Sequence, residues 1–426
     1  SSAIPAAALE VPGVADVSSN FDHVSADALP TVQIDGVVWD QHIVGDTVYV
    51  AGSFGQARPA GSPPRTNETP RANLLAYDLD TGDLIDGFVA DTNSDVMTVT
   101  SSPDGETLYV GGLFTSVNGS TRNRIAALDS DTGAVLSTFQ PRTNYVVSDI
   151  VATDTTVYAG GLFYQAGGNT GDMQTRNNLA AFSAADGSLL AWAPPADDKV
   201  QTIALTDDDG TLFAGGYFQN VNGVAVEGWA SIDASTGVVT RLPANDDVFF
   251  YGYSQGGESA LLDIRIDNGY LYGVGYTFGR QSGNLEGTFK VDLATGEIVW
   301  IEDCHGDSYQ VLPVNGYVYK ATHAHFCGNI GGSVQSDGSV TQWTEFERHA
   351  RSFVDEVAGE IRRDNWGYWN LEGYPAPAIT NWNPEWRTTT SYTGLGQSVW
   401  AVEGNSEYVV VGGEFTRVNR ERVQGI

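Results

Sequence analysis

Val48-Tyr-Val-Ala-Gly-Ser-Phe54 returns as Leu108-Tyr-Val-Gly-Gly-Leu-Phe114, Val157-Tyr-Ala-Gly-Gly-Leu-Phe163, Leu212-Phe-Ala-Gly-Gly-Tyr-Phe218 and Val409-Val-Val-Gly-Gly-Glu-Phe415. Weaker copies stand at Leu271-Tyr-Gly-Val-Gly-Tyr276 and Val318-Tyr-Lys-Ala-Thr-His323. Each copy is an apolar run of strand length with neighbours at fixed offsets. Upstream lies a strand such as Val147-Ser-Asp-Ile150; downstream come one such as Arg124-Ile-Ala-Ala-Leu-Asp129, a turn such as Asp131-Thr-Gly133, and a fourth strand. This pattern predicts an all-β fold, a seven-bladed β-propeller with four-stranded blades. Residues 422–426 match the third strand of a blade, while His23 to Pro30 stand where a fourth is wanted. The last blade is therefore expected to be completed by the N-terminal strand, which leaves no open edge between first and last blades. Residues 1–21 read as an extended segment and 22–426 as the propeller, with an insertion at about 344–395 between blades six and seven.

Composition narrows the partners. The chain carries 53 Asp and Glu against 21 Lys and Arg, and Lys199, Lys290 and Lys320 are its sole lysines. A formal charge of -32 repels phosphate backbones and anionic lipids, so nucleic acid and membrane surfaces are poor partners. No apolar run approaches the ~20 residues that cross a bilayer, so no membrane span is expected. The start at Ser1, followed by an Ala- and Pro-rich stretch, reads as a mature terminus after signal removal or as a cut edge, and either suits an extracellular or cell-surface protein.

The Leu-Tyr-Val-Gly-Gly-Xaa-Phe, Val-Asn-Gly and Asp-Thr-Gly phrases resemble the delta-60 type β-propeller repeat of secreted actinobacterial proteins, over about residues 29–426. The resemblance implies an exported propeller, often joined to further extracellular modules. It brings no established activity, so it assigns no catalytic residue.

In a propeller the hairpins joining first to second strands, and third to fourth, share one face; the remaining loops share the other. Gly55 to Arg71, Phe249-Phe-Tyr-Gly-Tyr253 and the insertion make the second face the long-looped one, where function is expected. Asn315-Gly316 reads as a two-residue hairpin turn, and in the register it sets Cys304 falls opposite Cys327. Such a pair predicts a disulfide in an exported protein, with two thiolate metal ligands as the alternative. Beside it, His323 and His325 alternate onto one side of their strand, opposite Ser308 and Gly306, while His305 and Asp307 fall on the other. Three readings stay open for His305, Asp307, His323 and His325. They support loops by hydrogen bonding, bind a divalent metal, or do acid–base work.

Aligning the inner strands brings Asp40, Thr98, Asp149, Thr202, Asp263, Gln310 and Ser398 to one level of the ring. Hydrogen bonding to neighbouring blades is one reading of this polar ring; Ca²⁺ held by Asp40, Asp149 and Asp263 is the other. The insertion holds Trp366, Tyr368, Trp369, Trp382 and Trp386, which with Tyr251 and Tyr253 are candidate stacking platforms for sugar rings or else a local core. Asp307, Asp364, Glu372 and Glu385 are candidate carboxylates for glycoside hydrolysis. The sequence thus supports a secreted, non-catalytic recognition or scaffold propeller for an extracellular glycan or surface polymer, with no cofactor required. The alternative is a polysaccharide-degrading hydrolase or lyase on the same face.

Overall fold

A computed structural model describes residues 23–254, 256–279, 282–330, 333–334, 340–341, 348–363, 369–380, 382 and 384–426. The chain is all-β. Its inner strands are Val37–Val44, Val96–Ser101, Val147–Ala152, Val200–Leu205, Gly257–Asp267, Ser308–Val314 and Val399–Gly404. Each packs against the next, and Val399–Gly404 packs against Val37–Val44, so the strands close a circle. Every inner strand pairs antiparallel with the strand that carries a repeat phrase: Thr47–Ser53, Thr107–Gly112, Thr156–Gly161, Thr211–Gly216, Tyr270–Phe278, Tyr317–Ala324 or Val409–Gly413.

The Gly-Gly pair of the phrase has a packing cause. A Cβ on Gly111 would meet Val147 Cγ1 at 2.7 Å, one on Gly160 would meet Val200 Cγ1 at 2.7 Å, and one on Gly215 would meet Leu261 Cδ2 at 2.8 Å. In the last repeat Gly412 stands in the same relation to Val38, at 2.4 Å, which seats the first repeat against the seventh. The second glycine admits the backbone of the repeat's own inner strand, as where a Cβ on Gly216 would lie 2.2 Å from the Lys199 carbonyl oxygen. The tyrosine adds a bond between repeats: Tyr49 OH donates to the Ser130 carbonyl at 2.9 Å and Tyr158 OH to that of Ala234 at 2.8 Å.

Outer strands vary. Val200–Leu205, Thr211–Gly216, Trp229–Asp233 and Val239–Thr240 form a regular four-stranded sheet. In the first three repeats a single bridge, Tyr77 to Leu84, Leu128 to Val135 and Phe182 to Leu189, stands where the fourth strand would be. The region expected as an insertion is partly sheet: Arg348–Glu360 pairs with Tyr317–Ala324 as a third strand, and Pro375–Ile379 pairs with it in turn. Buried His349 and Arg351 break the apolar alternation that would have announced this strand.

The N-terminal expectation needs correction. Residues 23–32 form no strand. They cross the seventh sheet held by single bonds: Val24 N–H to Tyr319 OH at 3.2 Å, Trp382 Nε1–H to the Ser25 carbonyl at 3.3 Å, and Asn419 Nδ2–H to that of Ala26 at 2.5 Å. The cause is a missing partner, since among the described residues no third strand lies between this segment and Val409–Gly413. Residues 1–21 lie outside the described residues.

Candidate functional site

The circle of inner strands encloses an axial cavity of about 680 Å³. All seven inner strands carry a bulge at one level, between Val38 and Asp40, Val96 and Thr98, Val147 and Asp149, Val200 and Thr202, Leu261 and Asp263, Ser308 and Gln310, and Val399 and Ala401. A bulge re-aims the side chain that follows it. Here that side chain reaches the next strand: Val99 N–H donates to Asp40 at 2.9 Å, Ile203 N–H to Asp149 at 2.7 Å, and Ile264 N–H to Thr202 at 3.3 Å. Val311 N–H donates to Asp263 at 3.0 Å and Val402 N–H to Gln310 at 3.0 Å. The seventh position is Ala401 rather than Ser398, which is buried at φ 65° outside the ring. Gln310 Nε2–H instead reaches past this repeat to Asp40 at 3.2 Å.

The polar ring is therefore a set of stitches between strands. Burial pushes the Asp40 carboxyl up to about 7 and that of Asp149 up to about 6, and it raises Asp263 as well, against the lowering effect of the donated N–H bonds. Burial also opposes the Arg265 charge, yet Glu403 at 3.0 Å, with Asp263, Asp40 and Asp149, holds it above its ordinary value. His42 is pushed down to about 4 by burial and by Arg265. Among the described residues, only Glu302, Cys304 and Cys327 bring ligand atoms within 4.8 Å of one another, and the two cysteines form a disulfide.

At the long-loop mouth the cavity is aromatic. Tyr217 stacks on Tyr253 with centroids 5.1 Å apart, and Tyr276 meets Tyr217 edge-on at 6.4 Å. Tyr276 OH donates to Glu258. Lys199 Nζ lies 5.7 Å from the Tyr217 ring, and burial lowers its pKa. Tyr253 and Phe278 stand 64% and 75% exposed on this rim. Of these, Tyr253 was legible in sequence. Tyr217 was signalled only by replacing the leucine of Gly-Gly-Leu-Phe, Lys199 only by the scarcity of lysine, and Glu258 by nothing.

The stapled hairpin forms as expected, with Cys304 and Cys327 bonded and buried. Its register does not hold throughout. Gln310 pairs with Ala321, but the bulge at Tyr309 makes Ser308 pair with Thr322. Beyond it His323 N–H donates to the Asp307 carbonyl at 2.7 Å and His325 N–H to that of His305 at 3.0 Å. One residue of slip moves a side chain to the other face. Asp307 thus comes beside His323 instead of behind it, at the cavity rim with Tyr309. His305 is fully buried at φ 47°, with Nδ1 3.1 Å from Asp303 Oδ1 and its ring stacked on Phe326. His323 packs on His325 at 4.6 Å and on His349 at 6.4 Å. Sequence reasoning missed Glu286, whose carboxyl is pushed up to about 8 by burial and the charge of Asp307.

The aromatic candidates divide. Trp382 is buried against Tyr319, and Trp386 packs edge-on against Phe415 at 4.8 Å. Trp382 belongs to the core that seats the N-terminal segment at Val24, Ala26 and Ala28, and Trp386 packs half-buried against it. Trp369 is 41% exposed and meets Phe249 at 5.9 Å, and Phe249 packs on Tyr251 at 5.0 Å. Trp366, Tyr368 and Asp364 lie outside the described residues. Glu372 and Glu385 are exposed on loops and line no part of the axial cavity.

No helix among the described residues is long and apolar enough to cross a membrane. Residues 102–131, which follow the inner strand Val96–Ser101 and include Thr107–Gly112 and Ile125–Asp129, match the domain of unknown function (DUF5122) beta-propeller. No curated protein matches the chain. The structure of U3-55K superposes with a TM-score of 0.50 at 10% identity, covering 93% of this chain and 95% of that one. The RRP9 WD40 repeats give 0.49 at 11% identity, covering 93% and 95%, and the computationally designed Ika8 protein gives 0.46 at 12%, covering 92% and 98%. At such identity the U3-55K likeness speaks for the fold alone. The chain is thus an all-β propeller, with a repeat similar to the DUF5122 beta-propeller family.

Proposed function

We propose that this chain is a secreted, seven-bladed recognition propeller of the delta-60 repeat kind, which binds an extracellular glycan at the long-loop mouth of its axial cavity. The observation that carries the reading is the exposed Tyr253 ring stacked on Tyr217, with the Tyr276–Glu258 pair beside it. An exposed aromatic face takes the apolar face of a sugar ring, and a neighbouring carboxylate accepts hydrogen bonds from its hydroxyls. The reading needs no cofactor. Binding to a panel of bacterial and plant polysaccharides, followed by titration calorimetry, tests it. Tyr253→Ala and Phe278→Ala should each weaken binding at least tenfold with the melting temperature unchanged. Full retention in the double variant sinks the glycan assignment.

One observation favours polysaccharide hydrolysis as a second reading. Glu286, whose carboxyl is pushed up to about 8 by burial and by the charge of Asp307, has the character of a general acid. Release of reducing ends that disappears in Glu286→Gln would replace the first reading with this one.

A further inference from the structure

Each bulge of the inner strands inserts one extra residue, and all seven of these residues line the axial cavity, one position nearer the long-loop mouth than the polar ring. They differ around the circle. Tyr309, Trp400 and Trp39 come from three adjacent strands and form a continuous shelf, with Tyr309 and Trp400 centroids 4.4 Å apart and Trp400 and Trp39 5.5 Å apart. Across the axis, on Val147–Ala152 and Val200–Leu205, stand Ser148 and Gln201. The cavity thus has an aromatic wall and a polar wall. Asp40, Asp149 and Asp263 of the ring beneath are engaged with the backbone of the next strand, whereas the Ser148 hydroxyl and the Gln201 amide bond to no other described residue. The floor is crossed by a salt bridge. Arg265 on Gly257–Asp267 pairs at 3.0 Å with Glu403 on Val399–Gly404, and the strand Ser308–Val314 stands between those two in the circle. A pair that skips a strand spans the lumen. Arg265, His42, Thr100 and Val151 are the deepest residues of the cavity wall, two positions past the ring or its equivalent on each strand.

We propose that the cavity is a cup for the terminal sugar unit of a glycan, the rest of the chain leaving over the Tyr253 and Phe278 rim; the inference rests on the glycan reading above. A sugar ring has an apolar C–H face and an edge of hydroxyls. The shelf of Tyr309, Trp400 and Trp39 takes the face. Ser148 and Gln201, each able to donate and to accept, take the edge. The volume of about 680 Å³ falls in the ~300–1,000 Å³ range of pockets that enclose most of a small ligand's surface. The floor selects the end of a chain over its interior. An internal unit continues in two directions and needs two ways out, and the Arg265–Glu403 bridge leaves it one. Rim and cup then divide the work, the rim holding the chain and the cup reading its last unit.

The test compares each polysaccharide of the panel, whole and after partial acid hydrolysis to oligomers, by titration calorimetry at equal mass concentration. Recognition of ends predicts that binding per gram rises at least tenfold on hydrolysis, because hydrolysis multiplies the ends, and that tryptophan fluorescence shifts as the sugar covers Trp39 and Trp400. Gln201→Trp fills the cup and should abolish oligomer binding while Tyr253 and Phe278 stay in place. Should that variant not fold, Gln201→Ala combined with Ser148→Ala removes the polar wall and should weaken oligomer binding at least tenfold with the melting temperature unchanged. Equal binding per gram of the two forms, lost in Tyr253→Ala, overturns the cup and leaves the rim reading standing. Oligomer binding undiminished in Gln201→Trp overturns the cup as well. Absence of binding by every form overturns both.

Discussion

Replacing Asp149 with alanine should destabilise the fold more at pH 5 than at pH 7.5. The carboxylate accepts from Ile203 N–H at 2.7 Å, Ile150 N–H at 2.8 Å and Thr98 Oγ1–H at 3.1 Å. Alanine leaves two backbone donors without this acceptor, at ~1–3 kcal/mol each where water is excluded. The cavity admits water, so the combined loss is set at about 3 kcal/mol. The sign of the pH term follows from the shift. Asp149 is raised from 3.8 to about 6 in the fold, so the folded state binds its proton more tightly. Its contribution is full below 3.8 and is lost as pH rises through about 6. The shift corresponds to ~3 kcal/mol, which the partly exposed, water-lined setting reduces to about 1 kcal/mol. Alanine should therefore cost about 3 kcal/mol at pH 5 and about 2.5 kcal/mol at pH 7.5, since about half of the pH term is already lost at pH 5. Asp149→Asn keeps one acceptor and should flatten the wild-type slope between these pH values. Urea midpoints of the three proteins at both pH values decide the matter. A loss below about 0.5 kcal/mol, or a larger loss at pH 7.5, refutes the stitching account.

Gly215→Ala sets a methyl 2.8 Å from Leu261 Cδ2 and 2.9 Å from Thr202 Cγ2, and should cost about 2 kcal/mol in chemical denaturation. Cys304→Ser opens a loop with a separation of 23 residues; about 3 kcal/mol should be lost, and the melting temperature should no longer respond to reductant. Lys320 Nζ and Glu302 Oε2 pair at 2.5 Å with both side chains fully buried, so Lys320→Met strands a carboxylate at a cost of ~3–5 kcal/mol. Adding Glu302→Leu should recover most of that loss in thermal melts.

The repeat phrase was legible because its glycines answer a steric demand that recurs with every neighbour, as Gly111, Gly160, Gly215 and Gly412 do. The disulfide was legible because a two-residue turn fixes a register over several residues. The bulge was not: nothing in Ser308-Tyr-Gln310 announces it, yet it decides that His323 stands with Asp307. Ala401 hid for a related reason, since counting from the phrase picks out a polar residue, Ser398, where the fold places an apolar one. The Tyr217, Glu258 and Tyr276 cluster escaped because its members come from different strands and meet only when the circle closes. Arg348–Glu360 was obscured by charged residues pointing inward at Arg351 and His349.

Where the inner strands of the first and seventh repeats adjoin, Ala401 offers no oxygen to its neighbour, and the packing is Val38 over Gly412 and Trp39 edge-on to Trp400 at 5.5 Å; hydrogen bonds across the joint lie outside this ring, from Ile34 N–H to the Gln424 carbonyl at 3.0 Å and from Arg58 Nη2–H to Gln424 Oε1 at 2.5 Å. The molecule thus behaves as a bracelet with a friction catch. Tension across that joint would be borne by the outer bonds of Gln424 and by the strap from Gln310 to Asp40, not by the inner strands that touch there.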